Sequence, residues 1–327
     1  MPLLSNANPN APENETGGMS GSLLSLGAVS GAGSEPFFIG RCSNPGCRSG
    51  WLQLFRKRTR PVFEEGWTCS ADCTEARLQL SVRRELAGWQ QVQEIHRHRI
   101  PLGLLMLEKG WITPHQLRRA VEEQRRSGEL RIGEWLVKQG AAEEAQIARG
   151  LSLQWGCPVL SLSNGGMAGS NEVLPRLFVD AFGALPLLRS SGKIAYLGFE
   201  QSLDPILAFA VERMSGIRVE SGIVQSSVYA GALGKVREQA FPALQLAEAA
   251  SDFAAARLLA KAIERAHPIS SRLVRVHEWL WLRMILQLPR AGSQISACMS
   301  DVVCRIGTAT LKEHAGEPIR QAGGEDA

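Results

Sequence analysis

The chain has 327 residues, 44% of them hydrophobic and 21% charged, with a formal net charge of +4. That length supports one or two domains with proper cores, and so mild a charge argues for no particular partner. No apolar run approaches the ~20 residues needed to span a bilayer.

Residues 1–35 are rich in Asn, Gly, Ser and Pro and lack the basic start and compact apolar stretch of a signal peptide. They read as the disordered tail of a cytoplasmic protein. Four of the seven cysteines then fall together, Cys42 and Cys47 as C-x4-C and, 21 residues on, Cys69 and Cys73 as C-x3-C. Over residues 36–75 this spacing predicts a zinc-finger-like module, with a structural Zn²⁺ held by four thiolates on two knuckles. The gap contains WLQLF and PVFEEGW around the basic turn RKRTR. A hairpin about that turn brings the two pairs together, with Cys73 in the first turn of a helix beginning near Ala76. Metal compensates there for a core too small to fold alone. Unligated thiols, disulfides and a catalytic zinc stay open as alternatives, although the cytosol keeps thiols reduced and a catalytic zinc keeps one position free. Cys157, Cys298 and Cys304 show no partner pattern and read as packing residues.

Residues 76–98 read as a connecting helix, with Leu78, Val82, Leu86, Trp89 and Val92 along one stripe. His96 and His98 near its end are given no chemistry. A repeat follows. PLGLLMLEKGWITPHQLRRAVEEQ at 101–124 and RIGEWLVKQGAAEEAQIARGLSLQ at 131–154 align without a gap. The shared positions are Leu102, Gly103, Met106, Gly110, Leu117, Val121 and Gln124 in one copy, and Ile132, Gly133, Leu136, Gly140, Ile147, Leu151 and Gln154 in the other. One supersecondary unit is therefore used twice within 99–164. Each copy reads as a short helix that breaks near its second Gly and resumes as a longer helix ending at the Gln. Thr113-Pro114 is a cap followed by Pro in the first turn. The early glycines leave room for a ligand to approach the backbone. The aliphatic positions equally suit the core of any helical hairpin, and Gly110 and Gly140 suit C-caps.

Residues 165–240 open on the Gly-rich SNGGMAGSN, read as a linker. A small α/β unit comes next, with helices near 174–182 and 203–215, strands near 184–189 and 193–199, then short strands and a helix from about 226. Residues 241–290 are expected to hold an Ala-rich helix over 243–266 and an apolar segment ambiguous between strand and helix, and 291–327 a flexible tail. The fold class expected is thus α+β, with a small four-cysteine zinc module, a helical repeat bundle, an α/β subdomain and a C-terminal helix.

The repeat resembles the N-terminal domain of type II secretion and type IV pilus assembly ATPases, called MshEN in its cyclic di-GMP-binding form. That family carries two copies of R-L-G-x-x-L-x-x-x-G, each ending in L-x-x-Q. The second copy here keeps Arg131; the first has Pro101 at that place, with Arg99 two residues earlier. The likeness extends to about residue 235 through LPRLFVDAFGALPLLRSSGKIAYLGF. It implies cyclic di-GMP as ligand, held by Arg131, Ile132, Gly133, Leu136 and Gln154 with Leu102, Gly103, Met106, Gln124 and Arg99. Guanidinium groups would supply charge and a stacking plane, helix N-termini amide donors, and the aliphatics after each Gly would cover the bases.

The family's hydrolysing engine requires G-x-x-x-x-G-K-[ST]. Here Gly192-Lys193 is followed by Ile and Gly234-Lys235 by Val, and no catalytic pattern is recognisable. The expected function is therefore a non-enzymatic cytoplasmic regulatory or adaptor protein. Two alternatives stand beside it: a degenerate domain that docks a secretion- or pilus-type protein partner without nucleotide, and nucleic-acid binding through the zinc module and Arg56, Lys57, Arg58 and Arg60.

Overall fold

A computed structural model describes residues 42–48, 60–88, 99–162, 170–188, 194–287 and 298–307. The expected N-terminal tail, the WLQLF strand, the end of the connecting helix with His96 and His98, and the centre of the Gly-rich linker lie outside these residues.

The cysteine module consists of the knuckle at 42–48, strands β1 (Val62–Phe63) and β2 (Gly66–Trp67), and helix α1 (Ala71–Ala87). The described hairpin turns at Glu64 and Glu65, both in the left-handed region at φ 47° and 66°; the turn expected about RKRTR lies, apart from Arg60, outside the described residues. Two consecutive left-handed residues match the right-handed twist of the flanking strands. Arg60, the one residue of that basic run among those described, lies with its guanidinium 4.1 Å from the Trp67 ring. Helix α1 begins at Ala71, five residues earlier than expected, because Ser70 is its N-cap and accepts from the Cys73 amide.

Residues 101–155 form the repeat bundle of helices α2 (Leu102–Glu108), α3 (Pro114–Ser127), α4 (Ile132–Lys138) and α5 (Glu144–Trp155). The expected breaks are present: Gly110 and Gly140 follow α2 and α4 at φ 68° and 65°. Both restarts are closed by the same device. Gln116 Oε1 accepts from the Thr113 amide and Gln146 Oε1 from the Glu143 amide, at 2.7 and 2.9 Å.

After a 3-10 turn at Ser170–Glu172 come α6 (Arg176–Phe182), β3 (Leu185–Leu188), β4 (Ile194–Phe199), α7 (Pro205–Ser215), β5 (Arg218–Ile223) and α8 (Ser226–Arg237), close to the expected order. The strands form a sheet in which β4 pairs antiparallel with β3 and parallel with β5. The chain leaving α5 runs beside β5: the Leu160 amide donates to Ile223 O and the Ile223 amide to Pro158 O, at 2.7 and 2.9 Å. Only glycine fits at 222, since a Cβ there would lie 2.6 Å from Leu160 and 2.8 Å from Pro158 O. This pairing presses the sheet against the bundle, and Ile223 is buried in the bundle's core.

The C-terminal region departs from expectation. Residues 243–249 are not the start of an Ala-rich helix but strand β6 (Ala243–Ala249); the helix, α9, covers only Asp252–Ala266. Ser251 caps α9 by accepting from the Ala254 amide. The ambiguous apolar segment is the hairpin β7 (Ser270–Val276) and β8 (Trp279–Ile285), and Met299–Ile306 of the expected flexible tail is strand β9. Parallel pairing of β6 with β9 overrides the helical propensity of residues 243–249. The sheet order is β6-β9-β8-β7. Strands β7, β8 and β9 are buried on both faces, while the edge strand β6 is largely exposed. Val274, Val276, Trp281 and Val303 pack on the α/β unit, while Leu273, Leu280, Leu282, Val302 and Cys304 pack under α9 and α1. Strands covered on both sides lose the alternation of a half-buried strand, which is why the segment reads ambiguously in sequence.

The connecting helix is therefore a core element. Leu78, Val82 and Leu86 of α1 are buried against α9 together with Phe63. Strand β1 lies alongside β7, with the Val62 amide donating to Pro268 O and the Glu64 amide to Ser271 O at 3.0 and 2.9 Å. Buried polar ties complete the assembly: Arg213 of α7 grips Glu85 of α1 at 2.7 Å through both nitrogens. Asp301 accepts from Arg283 at 2.8 and 2.9 Å and from Trp281 Nε1 at 2.9 Å. Both carboxylates have partners, as burial of a charge requires.

Candidate functional site

Two sites emerge, in separate parts of the molecule. At the first, the four sulfurs of Cys42, Cys47, Cys69 and Cys73 all lie within 4.8 Å of one another. Cys47 to Cys69 and Cys69 to Cys73 are 3.5 Å apart, far beyond an S–S bond of ~2.05 Å and close to the ~3.8 Å edge of a tetrahedron with Zn–S bonds of ~2.3 Å. The knuckle is shaped by Asn44, whose carbonyl accepts from the Cys47 amide and whose Nδ2 donates to Cys73 Sγ at 3.3 Å. Cys73 sits in the first turn of α1, where the helix end favours a thiolate. Burial pushes the Cys42 thiol up to about 12 and raises that of Cys73, and the neighbouring cysteines oppose ionisation further. A divalent cation among the sulfurs reverses that balance, and a donor set of four thiolates leaves no open position. The residues fit a structural metal ion.

The second site is a cleft of about 510 Å³ between the second repeat and the α/β unit. Of the residues expected from the motif, Arg131, Ile132, Gly133, Gln154 and Leu102 line it. The others lie elsewhere. Met106 and Leu136 are fully buried, so they serve the bundle's core and do not form a wall for a base. Gly103 is filled by its own hairpin: a Cβ there would meet Leu117 at 2.5 Å, and one at Gly133 would meet Ile147 at 3.0 Å. A side chain at either position would press on the facing helix, so close helix packing by itself gives a reason for glycine at both. Gln124 is half-buried on α3 and does not line the cleft. Arg99 reaches the site through an aromatic intermediary, its guanidinium 3.3 Å from the ring centroid of Trp155, which lines the cleft.

Arg131 is the N-cap of α4; its amide donates to Glu134 Oε2 at 3.0 Å while its side chain stays exposed. Glu134 also accepts from Gln201 of the α/β unit at 2.6 Å. A second tie is Glu144 of α5, which accepts from the amide and hydroxyl of Ser227 at 3.1 and 2.7 Å. Gln154 Nε2 donates to Ile100 O at 2.7 Å, bracing the start of the first copy with the end of the second. Apolar walls come from Leu102, Ile147 and Leu151. Cations, carboxylates and flat apolar surface thus share one concavity, a donor set suited to a small polar ligand with a planar part. Sequence reasoning missed Trp155 and Lys138, which adjoin the motif, and Glu200, Gln201, Ser202 and Ser226, which arrive from the α/β unit without a local signal.

With this geometry in view, the relatives are informative. The chain is partly homologous to type IV pilus assembly ATPases. It is 36% identical over 97 residues to the type IV pilus assembly ATPase PilB of Thermus thermophilus, a match covering 29% of this chain and 11% of that protein. To PilB of Myxococcus xanthus it is 31% identical over 131 residues, covering 39% of this chain and 22% of the relative. The chain thus spans a minor part of these relatives, and the homology lies in their N-terminal, non-catalytic region. A solved structure entitled "Structure of MshE with cdg" is similar at 24% identity with a TM-score of 0.36, over 42% of this chain and 99% of that one. No family model matches the chain. Among the described residues, no helix is long and apolar enough to cross a membrane.

Proposed function

We propose that the cleft binds cyclic di-GMP, and that the protein is a non-enzymatic cytoplasmic regulator or adaptor of a pilus- or secretion-type machine, stiffened by a structural zinc ion on Cys42, Cys47, Cys69 and Cys73. The observation that carries the reading is the convergence of Arg131, Ile132, Gly133, Gln154 and Leu102 on one cleft. These are motif positions, and core packing alone does not require an exposed Arg at an N-cap or a Gln at a helix end.

In this reading Arg131 takes a phosphate, as guanidinium groups do in forked geometry. Leu102, Ile132, Ile147 and Leu151 cover a base, and Glu134, Glu144 or Glu200 accepts from a guanine edge. The Glu134–Gln201 and Glu144–Ser227 ties hold the bundle to the α/β unit beside the same cleft. A ligand that competes with or reinforces them shifts the relative placement of the two units, by no more than its differential affinity for the two arrangements.

Calorimetry of the full chain with cyclic di-GMP is the test. Single-site binding that weakens at least tenfold in Arg131→Ala is the expected result; no heat for wild type at ligand concentrations of tens of micromolar overturns the assignment. For the metal, elemental analysis is expected to find one zinc per chain, lost in the Cys42→Ser, Cys69→Ser double variant. An unchanged metal content in that variant refutes the four-thiolate site.

A further inference from the structure

The first copy has Pro101 where the second has Arg131, and a proline supplies neither a guanidinium nor an amide proton. A cation nevertheless adjoins the cleft through one of its lining residues. The Arg99 guanidinium sits over the Trp155 ring, with its Cζ 3.3 Å from the ring centroid. Trp155 itself lines the cleft beside Arg131 and Gln154. The backbone that carries Arg99 is pinned at the next residue, where Ile100 O accepts from Gln154 Nε2 at 2.7 Å. Among the described residues neither Arg99 nor the Arg131 side chain has a carboxylate partner, so both charges are available to an anion. A guanidinium held over an indole face is also pre-organised, losing less freedom when it takes a phosphate than a free arginine would.

We propose that Arg99, stacked on Trp155, is the second cationic contact of the cleft and takes over the role vacated at Pro101. The cleft then carries two guanidinium groups, one from before α2 and one from the cap of α4. It selects a ligand with two separated phosphates, a cyclic dinucleotide, over a mononucleotide. Trp155 sets the plane of the Arg99 guanidinium and offers its edge to an adjoining base. This inference rests on the reading of the cleft as a nucleotide site and adds to it a residue outside the repeat motif.

The test is calorimetry of the full chain with cyclic di-GMP and with GMP, comparing wild type with Arg99→Ala, Arg99→Lys, Trp155→Leu and Arg131→Ala. Arg99→Ala is expected to weaken cyclic di-GMP binding about tenfold or more while leaving GMP binding nearly unchanged, so that the preference for the dinucleotide narrows. Arg99→Lys, which keeps the charge but not the planar stack, falls between. Arg99 is exposed, and an unchanged thermal midpoint in its variants separates lost contact from lost folding. If wild type binds cyclic di-GMP and only Arg131→Ala impairs it, the role of Arg99 is refuted and the nucleotide site stands. If wild type binds neither ligand, both fall together.

Discussion

The two copies of the repeat share a frame and differ in what faces them. Met106 and Leu136 are both fully buried, Gly110 and Gly140 take the same left-handed turn, and Gln116 and Gln146 close the same cap. Around that frame the chemistry diverges. Arg131 and Glu134 stand at the start of α4, where the α/β unit contributes Gln201. The matching places before and in α2 hold Pro101 and Leu104, and Leu104 is 53% exposed. Packing demands act on both copies alike because each must fill the same bundle; surface chemistry follows the neighbour, and the two copies have different neighbours. Leu102 links them, since it lines the cleft and also approaches the places where side chains on Gly133 and Gly150 would stand, at 3.4 and 2.7 Å.

The shared frame is most sharply tested in the core. Met106→Ala and Leu136→Ala are each expected to cost about 2–5 kcal/mol in urea unfolding. Similar losses support equivalence of the copies; a full loss in one with less than ~1 kcal/mol in the other breaks it. The next effect is expected in binding. Arg131→Ala should remove about 1.5–3 kcal/mol of cyclic di-GMP affinity, the range for hydrogen bonds to charged groups, while changing stability by less than ~0.5 kcal/mol as an exposed substitution. A comparable stability loss would mean that Arg131 is a structural cap and not a ligand contact.

Much of this frame is legible in the sequence, because caps, breaks and buried stripes are local signals. Thr113-Pro114, Gly140 and the Leu78, Val82, Leu86 stripe each announce their role within a few residues. What is not legible depends on distant pairing. Residues 243–249 have helical propensity and become a strand only because β9 lies beside them; β8 hides its periodicity by being buried on both faces. The wall of the cleft formed by Glu200, Gln201 and Ser202 is brought to the motif by the pairing of 158–160 with β5, which no local pattern encodes. The converse also occurs: Gly103 and Gly133 are visible in the sequence, but only the side chains of Leu117 and Ile147 above them reveal that helix packing by itself gives a reason for their smallness.

A smaller effect separates the two terminal glutamines. Gln154 donates across the bundle to Ile100 O, so Gln154→Ala is expected to cost about 0.5–1.5 kcal/mol of stability, the net worth of one hydrogen bond. Its effect on ligand affinity should follow through the displaced Arg99. Gln124 does not line the cleft, and Gln124→Ala should leave affinity unchanged when titrated in parallel. Equal losses of affinity in the two variants would show that both copies engage ligand.

The smallest effect probes the starts of α2 and α4. Glu134 is the third residue of α4, where it accepts from the Arg131 amide; Leu104 is the third residue of α2, behind a cap that has no amide proton. Leu104→Glu alone therefore gains only the attraction of a carboxylate for a helix N-terminus, about 0.3–1 kcal/mol. Combining it with Pro101→Arg restores a proton for that carboxylate to accept, so the double variant should exceed the sum of the singles by a few tenths of a kcal/mol or more. Such coupling, measured by a double-mutant cycle in urea, would show that the first copy can still form the second copy's cap and lacks only the residues. Strict additivity would mean that the backbone entering α2 has diverged as well, and that the likeness of the two copies ends at their cores.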